Sequence, residues 1–133
     1  MLAFRLLKNN TIPTIGPLYG IGAGNLLGLG GISNQSSPVQ IGSLSWFKIS
    51  AGASYNMAIR SDRTLWAWGL NNIGQLGLNF ISGVSKSSPV QVGSLSWFKI
   101  SASKSYTMAI RSDRTLWAWG WNKDRKSTRL NSS

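Results

Sequence analysis

Apolar and polar residues alternate through Ser54–Arg60, with Tyr55, Met57 and Ile59 on one parity and Asn56, Ala58 and Arg60 on the other. A two-residue period over this length predicts a β-strand with two distinct faces. The segment before it, Trp46-Phe47-Lys48-Ile49-Ser50, is short, aromatic and β-branched; the segment after it, Thr64-Leu65-Trp66-Ala67-Trp68, alternates again. Only Ser61-Asp62-Arg63 separates the last two, a loop short enough to force an antiparallel hairpin. Pro38-Val39-Gln40-Ile41 reads as a fourth strand. It belongs at a sheet edge, because proline has no N–H to give a ladder.

The whole pattern then returns. Residues 36–69 recur at 87–120, always 51 positions on, with four differences: Ile41/Val92, Gly52/Ser103, Ala53/Lys104 and Asn56/Thr107. A period of this size marks an array of like units rather than one domain folded once. Residues 1–17, with Pro13 and Pro17, align with neither copy and read as an irregular or partly extended lead-in. Repeat 1 spans 18–69 and repeat 2 spans 70–122; Leu27-Gly28-Leu29 of the first answers to Leu76-Gly77-Leu78 of the second. Four short strands per period resemble one blade of a propeller, so the expected fold class is all-β, with about two four-stranded antiparallel blades.

Composition sharpens this picture. Seven Trp and a 42% apolar fraction can fill a core, whereas 15 Gly and the lack of any Glu favour turns and strands over helices. With no Cys and no His, disulfides, thiol nucleophiles and the usual zinc sites are excluded. The start, with Arg5 and Lys8 among its apolar residues, is too short and broken for a secretory signal, and no run reaches membrane-spanning length. The cytoplasm is the favoured compartment on that reading. The net charge is +11, but outside the last eleven residues, which hold Lys123, Arg125, Lys126 and Arg129, the cations fall singly, so long-range attraction to polyanions is expected without specificity. Nucleic acid is not the expected partner. Residues 123–133 are expected to be non-native or disordered: Asp124–Ser133 matches nothing in the repeat and resembles the translation of a sequencing adapter.

Four blocks now stand in order, twice: Ser-Pro-Val-Gln, Trp-Phe-Lys-Ile-Ser-Ala, Met-Ala-Ile-Arg-Ser-Asp-Arg-Thr-Leu-Trp-Ala-Trp-Gly, and Asn-Asn-Ile-Gly-Gln-Leu-Gly, the last begun again at Asn122. Over residues 18–122 this resembles the repeat of the regulator-of-chromosome-condensation family. The resemblance implies a partial β-propeller cut from a seven-bladed ring. Two positions depart from the family pattern. Tyr55 and Tyr106 stand where His is usual, keeping an aromatic body with a polar tip. Arg63 and Arg114 stand where Gly is usual. Arginine in the left-handed backbone of a tight hairpin costs roughly 1–2 kcal/mol, unless the turn widens. Either the loop exchanges stability for a cation at the propeller rim, or the change is neutral drift copied with the repeat.

Candidate chemistry is sparse. Asp62, Asp113 and Asp124 are the only carboxylates, and a general acid–base pair needs two converging on one cleft. Asp62 and Asp113 are expected to bond their own hairpin backbone. The serines have no His to activate them. The Gly20–Gly30 series lacks the Lys-Ser/Thr ending of a phosphate loop. Trp66 and Trp68, like Trp117 and Trp119, share a parity and read as blade packing rather than stacking platforms. No catalytic residue, cofactor or metal is expected. The expected function is a non-enzymatic protein-interaction scaffold, with Asp62, Arg63, Asp113 and Arg114 as partner-binding residues at the rim. The alternative implied by the resemblance is guanine-nucleotide exchange on a small GTPase; a second is weak polyanion binding through basic rim loops. No membrane partner is expected. Self-association is expected of blades whose flanks lack neighbours.

Overall fold

The computed structural model describes residues 3–6, 15–31, 33–78, 85–121 and 130–132. Among these described residues, eleven strands fall into three antiparallel sheets. The first holds β1 (Ala3–Leu6), β2 (Leu18–Gly22) and β3 (Gln35–Gln40) in that order. The second runs β4 (Trp46–Ala51), β5 (Tyr55–Arg60), β6 (Leu65–Gly69) and β7 (Lys86–Gln91). The third runs β8 (Trp97–Ala102), β9 (Tyr106–Arg111), β10 (Leu116–Gly120) and β11 (Leu130–Ser132). One turn of 3-10 helix, Gly24–Leu26, interrupts this all-β arrangement of successive blades.

The hairpin register follows the alternation of the sequence. Tyr55 pairs with Gly69, Met57 with Ala67 and Ile59 with Leu65, which puts all six on one face of the second sheet. The same pairs recur in the third sheet at Tyr106/Gly120, Met108/Ala118 and Ile110/Leu116. The Ser-Pro-Val-Gln strand does lie at an edge, but it closes the preceding sheet: β3 pairs with β2, and β7 with β6. A blade is therefore framed from Trp46 to Gln91, across the boundary between repeats 1 and 2 as the sequence aligns them. The lead-in supplies β1 to the first sheet, and residues 130–132 run beside β10, where the second sheet carries its Ser-Pro-Val-Gln strand.

A single sheet has no interior, so each blade buries its faces against its neighbours. Trp46, Ala58 and Trp68 of the second sheet pack with Leu18 and Ile41 of the first. Its opposite face, Tyr55, Met57, Ile59, Leu65 and Ala67, packs with Trp97, Ala109 and Trp117 of the third. Among the described residues, nothing covers the same opposite face of the third sheet. Tyr55 is 0% exposed, whereas its counterpart Tyr106 is 46% exposed.

Among the contacts that fasten blade to blade, two are made by buried aromatic side chains. The Tyr55 hydroxyl donates to the Tyr106 carbonyl and accepts from the Ser103 N–H at 3.2 Å. Burial pushes the Tyr55 phenol above its ordinary pKa, so it stays a donor at neutral pH. The second contact lies in the loop Asn71–Leu78. Its Gln75 carbonyl accepts the Trp119 indole N–H at 3.0 Å and lies 3.1 Å from the Thr107 hydroxyl. In the blade before, the Leu26 carbonyl accepts the Trp68 indole at 2.9 Å and the Asn56 amide at 2.7 Å. The indole rings reach these carbonyls because a glycine lies beneath each. A Cβ on Gly77 would stand 2.7 Å from Trp119 Nε1, and the residue sits at φ +71.

Removing the Tyr55 hydroxyl takes away its bonds to the Tyr106 carbonyl, the Ser103 N–H and the Thr107 hydroxyl of the next blade, although the Ser103 N–H keeps its own bond to the Tyr106 carbonyl; Tyr106 itself has an exposed ring. Tyr55→Phe is expected to lower stability by about 1–2 kcal/mol and Tyr106→Phe by less than about 0.5 kcal/mol. Urea unfolding followed by tryptophan fluorescence checks this; equal effects would show that Tyr55 does not join the blades.

Candidate functional site on the cationic rim

The β5–β6 and β9–β10 hairpins end at the same edge of their blades, and both are set by an aspartate. Asp62 Oδ1 accepts from the Thr64 N–H at 3.0 Å and from the Thr64 hydroxyl at 2.6 Å; Asp113 and Thr115 repeat both distances. The threonine oxygen in turn accepts the indole N–H of Trp66, or Trp117, at 2.8 Å. The threonine hydroxyl, ahead of the backbone N–H and the nearby arginine, holds each carboxyl below the usual carboxylate range. Both aspartates are thus ionised turn-formers, and each pairs with the arginine two residues back. The Arg60–Asp62 separation is 3.7 Å and the Arg111–Asp113 separation 3.2 Å.

The turn does not widen to suit Arg63. Arg63 sits at φ +72 and Arg114 at φ +70, each closing a tight turn onto the carbonyl three residues earlier. Arg63 gains contacts that a glycine lacks. Its guanidinium lies 4.3 Å from the Phe47 ring centre of its own blade and 6.0 Å from that of Phe98 in the next. Its carbonyl accepts the Trp97 N–H at 2.9 Å. A residue at the strained position therefore clips two blades together. Arg114 is exposed and makes no aromatic contact among the described residues.

Further cations collect around this clip. Lys48 lies 5.3 Å from the Phe47 ring and Lys99 lies 5.7 Å from Phe98. Arg60 and Arg111 cover Trp66 and Trp117 at 5.3 and 5.5 Å. Read along the sequence these charges fall singly; in the fold they form one basic rim, because stacking the blades brings the β5–β6 and β9–β10 hairpin ends to the same edge. The structure thus places all four expected rim residues at one edge, with Arg63 and Asp62 on one blade and Arg114 and Asp113 on the next. Sequence reasoning missed Phe47, Phe98, Lys48 and Lys99, although pairing of Trp46 with Arg60 sets that strand start beside the hairpin. Among the described residues, no three His, Cys, Asp or Glu side chains gather where they could hold a metal ion.

Comparison with known proteins places this geometry. Residues 62–110 match the family model described as "Regulator of chromosome condensation (RCC1) repeat", and residues 48–75 match a second model of that description. The chain is 32% identical over 108 residues to the "Ultraviolet-B receptor UVR8" of Arabidopsis thaliana, covering 77% of this chain and 24% of that protein. It is 29% identical over 118 residues to a "Bifunctional serine/threonine-protein kinase/NEDD4-like E3 ubiquitin-protein ligase" of Dictyostelium discoideum, covering 72% of this chain and 6% of that protein. Among solved structures, human WBSCR16 superposes with a TM-score of 0.73 at 17% identity, covering 87% of this chain and 33% of that one. Prp20p of Saccharomyces cerevisiae gives 0.67 at 19%, covering 88% and 33%. The chain spans about a quarter or less of the curated relatives it matches, and the two structural likenesses are of fold.

Relieving the positive φ recovers about 1 kcal/mol, while losing a stacked guanidinium costs about 0.5–1 kcal/mol. Arg114→Gly is therefore expected to raise the thermal midpoint, and Arg63→Gly to leave it nearly unchanged. Equal gains from both, measured by calorimetry, would remove the clip.

Proposed function

Because this chain carries RCC1-type repeats folded as part of a β-propeller, we propose that it is a protein-interaction module without catalysis of its own. Its partner meets the rim formed by Asp62, Arg63, Asp113 and Arg114. The observation that carries this reading is the gathering of Lys48, Arg63, Lys99 and Arg114 at one edge, while both nearby carboxylates are already paired with Arg60 and Arg111. Cations without carboxylate partners steer an anionic surface toward them. The relatives support a shared scaffold rather than a shared reaction, since repeats of this type occur in a light receptor and in a kinase–ligase. Prp20p has binding properties to Gsp1p and histones, so a chain of this fold can take protein partners.

The resemblance also brings nucleotide exchange on a small GTPase as a rival. The two rims are near copies, with the same residues at 61–64 and 112–115, whereas an exchange surface needs loops that differ from blade to blade. A photo-crosslinking amino acid at Ser61 or Ser112 is expected to give protein adducts in an extract of the source cells. The same group at Lys104, in the β8–β9 turn at the opposite edge, is expected to give none above background. Labelled GDP should leave candidate GTPases at its intrinsic rate. Equal adducts at both edges, or accelerated GDP release, would overturn the proposal.

A further inference from the structure

Which chemistry the rim recognises is written in how its cations are held. Arginine on a flexible stem loses rotamer freedom when it binds, but a guanidinium already laid on an aromatic ring has lost it beforehand. Arg63 is in that state: its guanidinium lies 4.3 Å from the centre of the Phe47 ring and 6.0 Å from that of Phe98, and its backbone is held by the bond from the Trp97 N–H to its carbonyl. Stacking occupies the faces of a guanidinium and leaves its N–H edge available, the geometry that a carboxylate meets with two parallel hydrogen bonds. Neither aspartate of the rim lies within ion-pair distance of it. Lys48 and Lys99 flank it as exposed point charges, and Arg114 repeats it one blade on.

Two features separate the anionic ligands this rim accepts. Single-stranded nucleic acid binds through aromatic faces on which bases stack. Here the Phe47 ring is met by Lys48 and Arg63, and the Phe98 ring by Lys99 and Arg63, so both are already engaged by cations. A continuous phosphate backbone also meets two ionised carboxylates, Asp62 and Asp113, whose side chains are 51% and 48% exposed within the rim. A ligand with separated negative charges avoids them, and one with a cation or hydroxyl between its carboxylates gains from them. We propose that the rim binds an extended acidic polypeptide segment, with Arg63 as its central anchor and Lys48, Lys99 and Arg114 alongside. This rests on the interaction-module reading above and adds the chemistry of the partner.

The test is fluorescence anisotropy of the whole chain with two labelled probes, a Glu-rich peptide with spaced carboxylates and an oligothymidylate of equal charge, over a series of salt concentrations. The peptide is expected to bind more tightly than the oligonucleotide. Arg63→Ala is expected to weaken it roughly tenfold, the loss of one charge-assisted fork. Arg63→Lys should weaken it to a smaller degree, and Lys104→Ala should leave it within about twofold. The pair Lys48→Ala with Lys99→Ala, which leaves Arg63 and both phenylalanines in place, should also weaken it and so keeps the test open if Arg63→Ala melts. Tighter binding of the oligonucleotide, or equal loss from Lys104→Ala, would overturn the inference. Absence of peptide binding while Ser61 and Ser112 still crosslink to protein would sink this inference alone.

Discussion

A bond from a tryptophan indole to a main-chain loop carbonyl recurs at both junctions between the described blades. Leu26 and Gln75 lie 49 residues apart and hold equivalent places in their loops; each accepts an indole N–H from the following sheet. The loop that presents Gln75 is itself fixed. Asn71 Oδ1 takes the Leu76 N–H at 3.1 Å, Gln75 Nε2 reaches Asn72 Oδ1 at 3.1 Å, and both Asn71 and Gln75 are buried. Because a blade is one sheet with no core of its own, the apolar layers between blades form only when the blades are held in register. The indole bond and the glycine beneath the ring set that register. The hydrophobic layers then supply most of the stabilisation, at ~25 cal/mol per Å² of apolar surface removed from water.

The repeat lets one sequence be compared in two surroundings. Tyr55 and Tyr106 occupy matching positions, yet one is sealed between sheets and the other lies open. Three of the four differences between the copies lie close to this tyrosine in sequence: Gly52/Ser103 and Ala53/Lys104 in the preceding turn, and Asn56/Thr107 next to it in the strand. The first has a steric meaning. A Cβ on Gly52 would lie 2.3 Å from Tyr55 Cε1 and 2.5 Å from the Ser103 carbonyl, so the sealed posture of Tyr55 requires a glycine there. With Ser103 in that place, Tyr106 does not have the same posture open to it. The face of the third sheet therefore differs from that of the second in shape as well as in covering.

The strands, the hairpin turn and the edge position of the proline strand were legible because they depend on local alternation and on single residues. Tyr55, Met57 and Ile59 were placed on one face by parity alone, and the Asp62 turn by the habit of that side chain. The sheet to which Ser-Pro-Val-Gln belongs was not legible, since its pairing spans a loop and nothing local distinguishes the blade before from the blade after. The basic rim was hidden for a similar reason. Its charges lie far apart along the chain and meet only when hairpins 51 residues apart are stacked. Arg63 shows the limit most clearly: its cost is local and visible in the sequence, whereas its gain from Phe98 comes from the neighbouring blade.

The register of the blades depends on the fit of the Trp119 indole over Gly77, and a double-mutant cycle measures that fit. Gly77→Ala alone drives a methyl against the pyrrole edge of the indole; Trp119→Phe alone loses the bond to Gln75. Together, the smaller ring makes room for the methyl. The combined loss of stability in urea unfolding is predicted to fall short of the sum by about 1 kcal/mol or more. Additivity within about 0.3 kcal/mol would mean that ring and glycine do not meet, and the register of the blades would have to be set elsewhere.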